Sequence, residues 1–298
     1  MDVQILLAEL HNQLPEFASF LIFTAGQSSE NLEEVEDQMA TPNLKEIQEA
    51  YARDGVVLLK DILADDWLER LRRAVDEEVK KGERYFAYKN MREQPGTFQD
   101  YCLTSDIGRR VAEVAGSSWT SLMFDQLFVK EPGTRTQTGW HTDQPYWPVV
   151  GPIMTMWIAL DPVDPDNGAL EFIPGSHAWG AKYRPFKTDQ LGAFLHYLEE
   201  DNPEYSDMPD FEAERDKHRI IHFDMEPGDA LAFDGMIVHS AMGNRTSTRR
   251  RRGYAIRFAC EGATYQPRDT VTEWLHDPGM ADGSAFHGEK FPLVYEAA

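Results

Sequence analysis

Three side chains in this sequence have the types and spacing to share one metal ion. His141 and Asp143 stand two apart in Trp140-His141-Thr142-Asp143-Gln144-Pro145-Tyr146-Trp147. Strand side chains return to the same side every second residue, so an extended segment here presents an imidazole and a carboxylate together. A third ligand has to come from elsewhere. The candidate is His239 in Asp234-Gly235-Met236-Ile237-Val238-His239-Ser240, at the end of a strand-like run. Two His and one carboxylate, with the remaining positions open, form the facial set used by non-haem Fe(II) oxygenases. A zinc hydrolase could use the same ligands, but a general-base Glu beside one His would then be expected, and neither His has one adjacent.

A second constellation lies in Thr248-Arg249-Arg250-Arg251-Arg252-Gly253-Tyr254-Ala255-Ile256-Arg257-Phe258. Alternation puts Arg251, Gly253, Ala255 and Arg257 on one face of a strand and Arg250, Arg252, Tyr254, Ile256 and Phe258 on the other. A planar guanidinium suits bidentate capture of a carboxylate, such as a diacid cosubstrate would present. Periodicity alone does not choose between Arg250 and Arg251.

The elements that must position these residues are mostly strands. They read as Ser121–Lys130, Ile153–Leu160, Ala169–Ile173, His218–Met225, Ala230–Phe233, Ile237–His239 and Tyr254–Cys260, with Pro and Gly turns such as Glu131-Pro132-Gly133 and Pro227-Gly228-Asp229 between them. Many short, punctuated strands indicate a sandwich or jelly-roll barrel. A jelly roll that supplies ligands from opposite sheets gives this order: His-x-Asp, several strands, distal His, then a last strand entered by Arg. Helices are expected from Leu44 through Tyr51, from Asp65 as N-cap through Lys81, and over Ile107–Ala115. The stretch from Trp179 to Lys217 is a long insertion with helical character around Gln190–Glu200, read as a lid. The tail from Thr270 wraps the core. Residues 1–43 read as an acidic helical arm outside a single domain at 44–298, and as the expected seat of a homodimer contact.

Composition sets limits. The 298 residues carry a net charge of -22, which repels phosphate backbones and argues against nucleic acid as a partner. Two unpaired cysteines, Cys102 and Cys260, give neither a zinc-thiolate site nor a disulfide framework. No Lys or Arg precedes Lys45, Phe17–Phe23 is too short to cross a bilayer, and the end Glu296-Ala297-Ala298 is no peroxisomal address. The expectation is a cytoplasmic protein with no membrane partner.

Ordered blocks add a resemblance. The chain is similar to the phytanoyl-CoA dioxygenase family of Fe(II)/2-oxoglutarate-dependent oxygenases from about Tyr51 to Pro292. The blocks are Asp54-Gly55-Val56-Val57, Asp125 through Lys130, Trp140 through Trp147, Trp157 through Asp161, Asn167 through His177, Gly228 through Phe233 and Arg251 through Phe258. The resemblance implies a mainly β fold with supporting helices around a double-stranded β-helix (jelly-roll, cupin-like) core. It implies His141, Asp143 and His239 as iron ligands. Arg251 would hold the distal carboxylate of 2-oxoglutarate, with Arg250 as the alternative because four Arg stand where the family often has two. Trp157, Lys130 and Gln137 would line the cosubstrate. Cofactors would be Fe(II), 2-oxoglutarate and O2. The implied activity is hydroxylation of an unactivated C–H bond in a small to mid-sized organic metabolite, giving succinate and CO2; desaturation, epoxidation or rearrangement are the alternatives from the same chemistry. Asp143 argues against the related halogenases, which keep a small residue there. A non-catalytic jelly-roll binding protein would show a lost ligand or a lost Arg, and neither is lost.

His177 reads as a structural turn residue, and His222 as a packed or solvent-facing one. Gln144, Tyr146, Trp147 and Trp179 are the expected substrate wall. With scattered Lys and Arg nearby, they suit a mid-sized, partly apolar molecule, a carboxylate among its groups.

Overall fold

The computed structural model describes residues 43–81, 87–188, 194–198, 201–268, 275 and 277–298. Chain contacts divide the molecule into Met1–Asn43 and Leu44–Ala298; the expected helical arm and its homodimer contact lie outside the described residues. Helices α1 (Leu44–Asp54), α2 (Asp65–Lys80), α3 (Thr97–Thr104) and α4 (Ile107–Ala115) come before most of the β structure. The N-cap of α2 is Ala64 rather than Asp65. Asp65 and Asp66 instead occupy its first turn, where their charge complements the helix dipole.

The strands in chain order are β1 (Val56–Leu59), β2 (Ala87–Lys89), β3 (Trp119–Lys130), β4 (Thr138–His141), β5 (Val149–Val150), β6 (Ile153–Ala159), β7 (Leu170–Phe172), β8 (Phe186–Thr188), β9 (Phe194–Tyr197), β10 (Ile221–His222), β11 (Ala230–Asp234), β12 (His239–Ala241), β13 (Arg251–Cys260), β14 (Thr264–Tyr265) and β15 (Leu293–Glu296). A major sheet runs β1-β11-β6-β13-β3-β15, with β2 also on β3. A minor sheet runs β10-β7-β12-β4, and all pairs are antiparallel. The fold is the expected jelly roll.

Alternation divides the major sheet into two faces. Met154, Met156 and Ile158 of β6, with Tyr254, Ile256 and Phe258 of β13, turn outward onto Leu68, Leu71, Val75, Ile107 and Val111 of the helices. Trp157, Ala159, Leu231, Phe233 and Ala255 turn inward and meet Leu170, Phe172 and Ala241 of the minor sheet. The helical layer therefore closes one face and leaves the inner face to build the site.

Several expected elements differ. The strand expected over His218–Met225 is only β10, because its sole partner, β7, is three residues long. Ile237 belongs to a turn in which the Met236 N–H donates to Asp234 Oδ1 at 2.7 Å, so pairing starts at His239. The helical reading around Gln190–Glu200 is overturned where residues are described: Phe194–Tyr197 is a strand paired with β8 as a hairpin. The tail contributes a strand, β15, on β3, with Phe286 and Phe291 buried beneath it. His177 packs where a Gly55 side chain would stand, and its Nε2 lies 3.2 Å from the Ala52 carbonyl of α1.

Candidate metal centre

His141 ends β4 and His239 opens β12, and the two are direct partners across the antiparallel pair. Cross-strand partners share a face, so their rings stand side by side with centroids 4.2 Å apart. Asp143 follows β4 at the start of the turn Gln144–Tyr146. One donor atom from each of the three lies within 4.8 Å of the other two.

The histidine tautomers are fixed by their backbone. Nδ1 of His141 lies 2.8 Å from the Gly139 carbonyl, and Nδ1 of His239 lies 3.0 Å from the Ile237 carbonyl. A carbonyl only accepts, so each Nδ1 carries the proton and each Nε2 keeps its lone pair. Those Nε2 atoms stand 3.3 Å and 3.9 Å from Asp143 Oδ1. Ligands about 2.1 Å from an ion and at right angles to one another are roughly 3 Å apart, so the set needs only a slight contraction. The other carboxylate oxygen, Oδ2, accepts from Thr155 Oγ1 at 3.3 Å. Phe172 stacks on His239 at 5.8 Å and Phe233 tilts against it at 5.0 Å.

Protonation suits the task. Burial, reinforced by the neighbouring His141, pushes His239 down to about 4, so its imidazole is neutral at pH 7. Burial pushes Asp143 up, but in the acid range where it titrates both imidazoles are protonated, and the His141 hydrogen bond and the charges of His239 and Arg257 outweigh burial, so the carboxyl titrates below its usual range. A neutral imidazole and a carboxylate bind metal without first losing a proton. Two N donors and one O donor, with no thiolate, fit Fe(II).

The four arginines separate sharply. Arg249 pairs with Asp164, Arg250 with Glu131 at 2.7 Å and Asp76 at 2.9 Å, and Arg252 with Asp161 through two bonds of 2.6 and 2.8 Å. Arg251 alone turns inward. It is 1% exposed, donates to the Gly168 carbonyl at 2.7 Å, and its Nε has no partner among the described residues. Burial pulls its guanidinium down to about 10. Lys130, its partner across the strand pair, is also buried, donates to the Ala241 and Met242 carbonyls, and is depressed by burial and by Arg251. Two buried cations without a carboxylate between them form a ready anion site. Trp157 lies 5.2 Å from the Arg251 guanidinium, its ring crossing Gly253, where any Cβ would collide with the indole. Gly168 has φ +92, and a Cβ there would stand 2.5 Å from the Met242 carbonyl; glycine lets this loop bring its own carbonyl to Arg251. Thr155, bound to Asp143, and Trp157, beside Arg251, are two apart on β6, about 7 Å, roughly the span of a five-carbon diacid.

The remaining candidates fare differently. Tyr146 stands edge-on to His141 at 6.3 Å, and its hydroxyl accepts from the Phe186 N–H at 2.9 Å. Trp147 is buried against Phe124 at 5.2 Å and reaches the inner face through Arg257 at 5.8 Å. Gln144 spends its amide NH2 on the Val149 and Gly151 carbonyls at 3.3 and 3.1 Å, so that group is tied to the turn. Trp179 packs on Phe211 at 6.1 Å, behind Trp140, whose side chain leaves β4 on the face opposite His141. Gln137 stands exposed ahead of β4, with no hydrogen bond to the other candidates among the described residues. Sequence reasoning missed Thr155, Phe186, whose ring lies 6.2 Å from His141, and the inward role of Arg257. Alternation had already put Arg257 on the Arg251 face; nothing local marked Phe186, because β8 reaches the site through a long insertion.

The sequence family described as phytanoyl-CoA dioxygenase (PhyH) matches residues 51–253. The multifunctional dioxygenase prhA of Penicillium brasilianum is 25% identical over 241 residues, covering 73% of this chain and 72% of its own. The peroxisomal phytanoyl-CoA dioxygenase of Mus musculus is 25% identical over 223 residues, 66% of this chain and 62% of its own. Among solved structures, the non-heme alpha ketoglutarate dependent epimerase SnoN from nogalamycin biosynthesis superposes with a TM-score of 0.63 at 21% identity, over 84% of this chain and 98% of its own. EctD from S. alaskensis, solved with 2-oxoglutarate and 5-hydroxyectoine, gives 0.59 at 19% identity over 79% and 84%.

Proposed function

This chain belongs to the phytanoyl-CoA dioxygenase family of Fe(II)/2-oxoglutarate-dependent oxidoreductases, and from that membership we propose that it hydroxylates an unactivated C–H bond of a small to mid-sized organic metabolite. When bound, the Fe(II) and 2-oxoglutarate pair supplies a two-electron oxidation by O2, coupled to decarboxylation of the cosubstrate to succinate and CO2. His141 and His239 would hold the metal through Nε2 and Asp143 through Oδ1. Thr155 keeps Asp143 turned so that Oδ1 faces the histidines. Arg251 and Lys130 would bind the distal carboxylate of 2-oxoglutarate, and Trp157 would flank its carbon chain. Tyr146 and Phe186 cover His141 and exclude water on the side where a substrate would lie.

The observation that carries this reading is Arg251, turned inward from the major sheet toward the minor sheet that bears the histidines and with no carboxylate partner among the described residues, while its three neighbours are each paired with a carboxylate. Asp143 fills the position that a halide would need, which supports oxygen transfer over halogenation. Desaturation, epoxidation or rearrangement is the second reading, favoured by relatives and neighbours named multifunctional dioxygenase, epimerase and carbocyclase. The test is a screen of candidate metabolites for substrate-stimulated succinate formation, with product mass and NMR: a gained oxygen located as a hydroxyl supports hydroxylation, whereas a loss of two hydrogens, an oxygen located in an epoxide, or an isomer of unchanged mass supports the second reading. No stimulation by any organic metabolite, with 2-oxoglutarate bound, would contradict both.

A further inference from the structure

We infer that the substrate carries a carboxylate, and that Arg257, Lys89 and Lys187 form the subsite that receives it. The inference rests on the oxygenase reading above and adds a class of substrate to it.

Cations are outnumbered in this chain, 29 Lys and Arg against 51 Asp and Glu, so a local excess of them is against expectation. Arg257 lies on the inner face of β13 and is 4% exposed. Its Nη1 donates to the Ala255 carbonyl at 3.3 Å, and its Nε is buried with no partner among the described residues. The nearest carboxylate oxygen, Asp143 Oδ2, is 3.9 Å from Nη2, beyond hydrogen-bond reach, and in the loaded site that charge is shared with the metal. Phe124, Trp147 and Phe128 surround the guanidinium at 4.9, 5.8 and 5.9 Å and hold its plane, while Asp143 and Asp125 are the carboxylates whose charge it feels.

Lys89 lies near it, and Lys187 near Lys89. Lys89 of β2 faces Gln126 of β3, which faces Ala255 of β13, so Lys89 shares the inner face with Arg257 two strands away, about 10 Å laterally. The register of β3 slips by one residue between Leu122 and Phe124, opposite Arg257, an irregularity of the kind that re-aims side chains beside active sites. Lys187 follows Phe186, whose ring packs against His141, on the hairpin of the insertion. Partial burial of the surface-exposed Lys89 and the charges of Arg257 and Lys187 depress its ammonium, so both cations lie within electrostatic reach of Lys89. Neither lysine has a carboxylate partner among the described residues.

The two ends of β13 divide the work. Arg251 with Lys130 stands at one end for the cosubstrate's distal carboxylate. Arg257 stands six residues further on, beside Asp143 and the Tyr146–Phe186 wall. A neutral substrate would leave the local excess of cations uncompensated next to an apolar wall, with the Arg257 Nε lacking an acceptor among the described residues, whereas a carboxylate on an apolar body satisfies both.

The test uses the full chain with Zn(II) and saturating 2-oxoglutarate, which fills the cosubstrate subsite without turnover. Binding of 4-phenylbutanoate and of its primary amide is followed by ligand-observed NMR, and 2-oxoglutarate affinity by calorimetry. The acid should bind about tenfold more tightly than the amide, because charge-assisted bonds are roughly twice as strong as neutral ones. Arg257→Gln should abolish the preference. Lys89→Gln and Lys187→Gln, at exposed positions that leave the core intact, should each reduce it while 2-oxoglutarate affinity stays unchanged. Equal binding of acid and amide, or binding of neither, overturns the proposal. A loss of 2-oxoglutarate affinity in Lys89→Gln or Lys187→Gln would assign the cluster to the cosubstrate and overturn it equally. Failure of the intact protein to bind 2-oxoglutarate at all would instead overturn the reading of the metal centre.

Discussion

Replacing Arg251 with Gln separates the cosubstrate reading from a merely structural arginine. The guanidinium is 1% exposed and among the described residues has one hydrogen bond, to Gly168. Removing one partner of a buried charged pair costs about 2–5 kcal/mol. At about 1.4 kcal/mol per factor of ten, that weakens 2-oxoglutarate binding by roughly 30- to 4000-fold. Arg250→Gln removes only pairs with Glu131 and Asp76, whose side chains are 46% and 42% exposed, and at about 0–1 kcal/mol for such pairs the affinity should scarcely move. Calorimetry on the Mn(II)-loaded protein reads both. Thermal melts add a check: 2-oxoglutarate at 100 times its Kd stabilises by about 2.7 kcal/mol, worth roughly 5–10 °C in a domain of this size. At the same concentration that stabilisation should fall to about 0.9 kcal/mol or less in Arg251→Gln. Without 2-oxoglutarate, Arg251→Gln should melt no lower than the parent, because an unpaired buried cation is itself destabilising. A larger loss of affinity in Arg250→Gln, or none in Arg251→Gln, would refute the assignment.

Gly253→Ala should displace the Trp157 indole, costing about 1–3 kcal/mol by overpacking and weakening 2-oxoglutarate binding, both readable by melts and calorimetry. Trp179→Ala should leave turnover unchanged, since that ring packs on Phe211 behind Trp140; a fall in kcat/KM would place it in the substrate wall after all. His239 titrates near 4 when folded and near 6.5 when unfolded, so between those values the unfolded chain binds the extra proton. Stability of the metal-free protein should therefore fall as pH drops from 6.5 to 4 and level off below. His239→Gln should flatten that part of the profile.

Much of the jelly roll was legible because its signals are local. Alternation along Arg251–Phe258 assigns the correct faces, with Tyr254, Ile256 and Phe258 against the helices and Ala255 against the minor sheet. The helix over Ile107–Ala115 follows from its apolar spacing. What failed depends on distant partners. The β8–β9 hairpin pairs Phe186 with Tyr197, and no period within the insertion announces it. The length of β10 is set by β7, far away in sequence, rather than by its own apolar residues. At the site, spacing brought His141 and Asp143 to notice, yet Gln144, their immediate neighbour, proved to tie down a turn, and Thr155, twelve residues on, turned out to orient the carboxylate. Register could not choose between Arg250 and Arg251; the positions of Glu131 and Asp76 outside and Gly168 inside distinguish them.

The central claim is that His141, Asp143 and His239 hold Fe(II) beside a 2-oxoglutarate site. Its most direct measurement is the visible absorption of the anaerobic protein on adding Fe(II) and 2-oxoglutarate. The intact protein should develop the weak charge-transfer band of the chelate, and Asp143→Ala should not. No band in the intact protein, or an unchanged band in Asp143→Ala, would contradict the account.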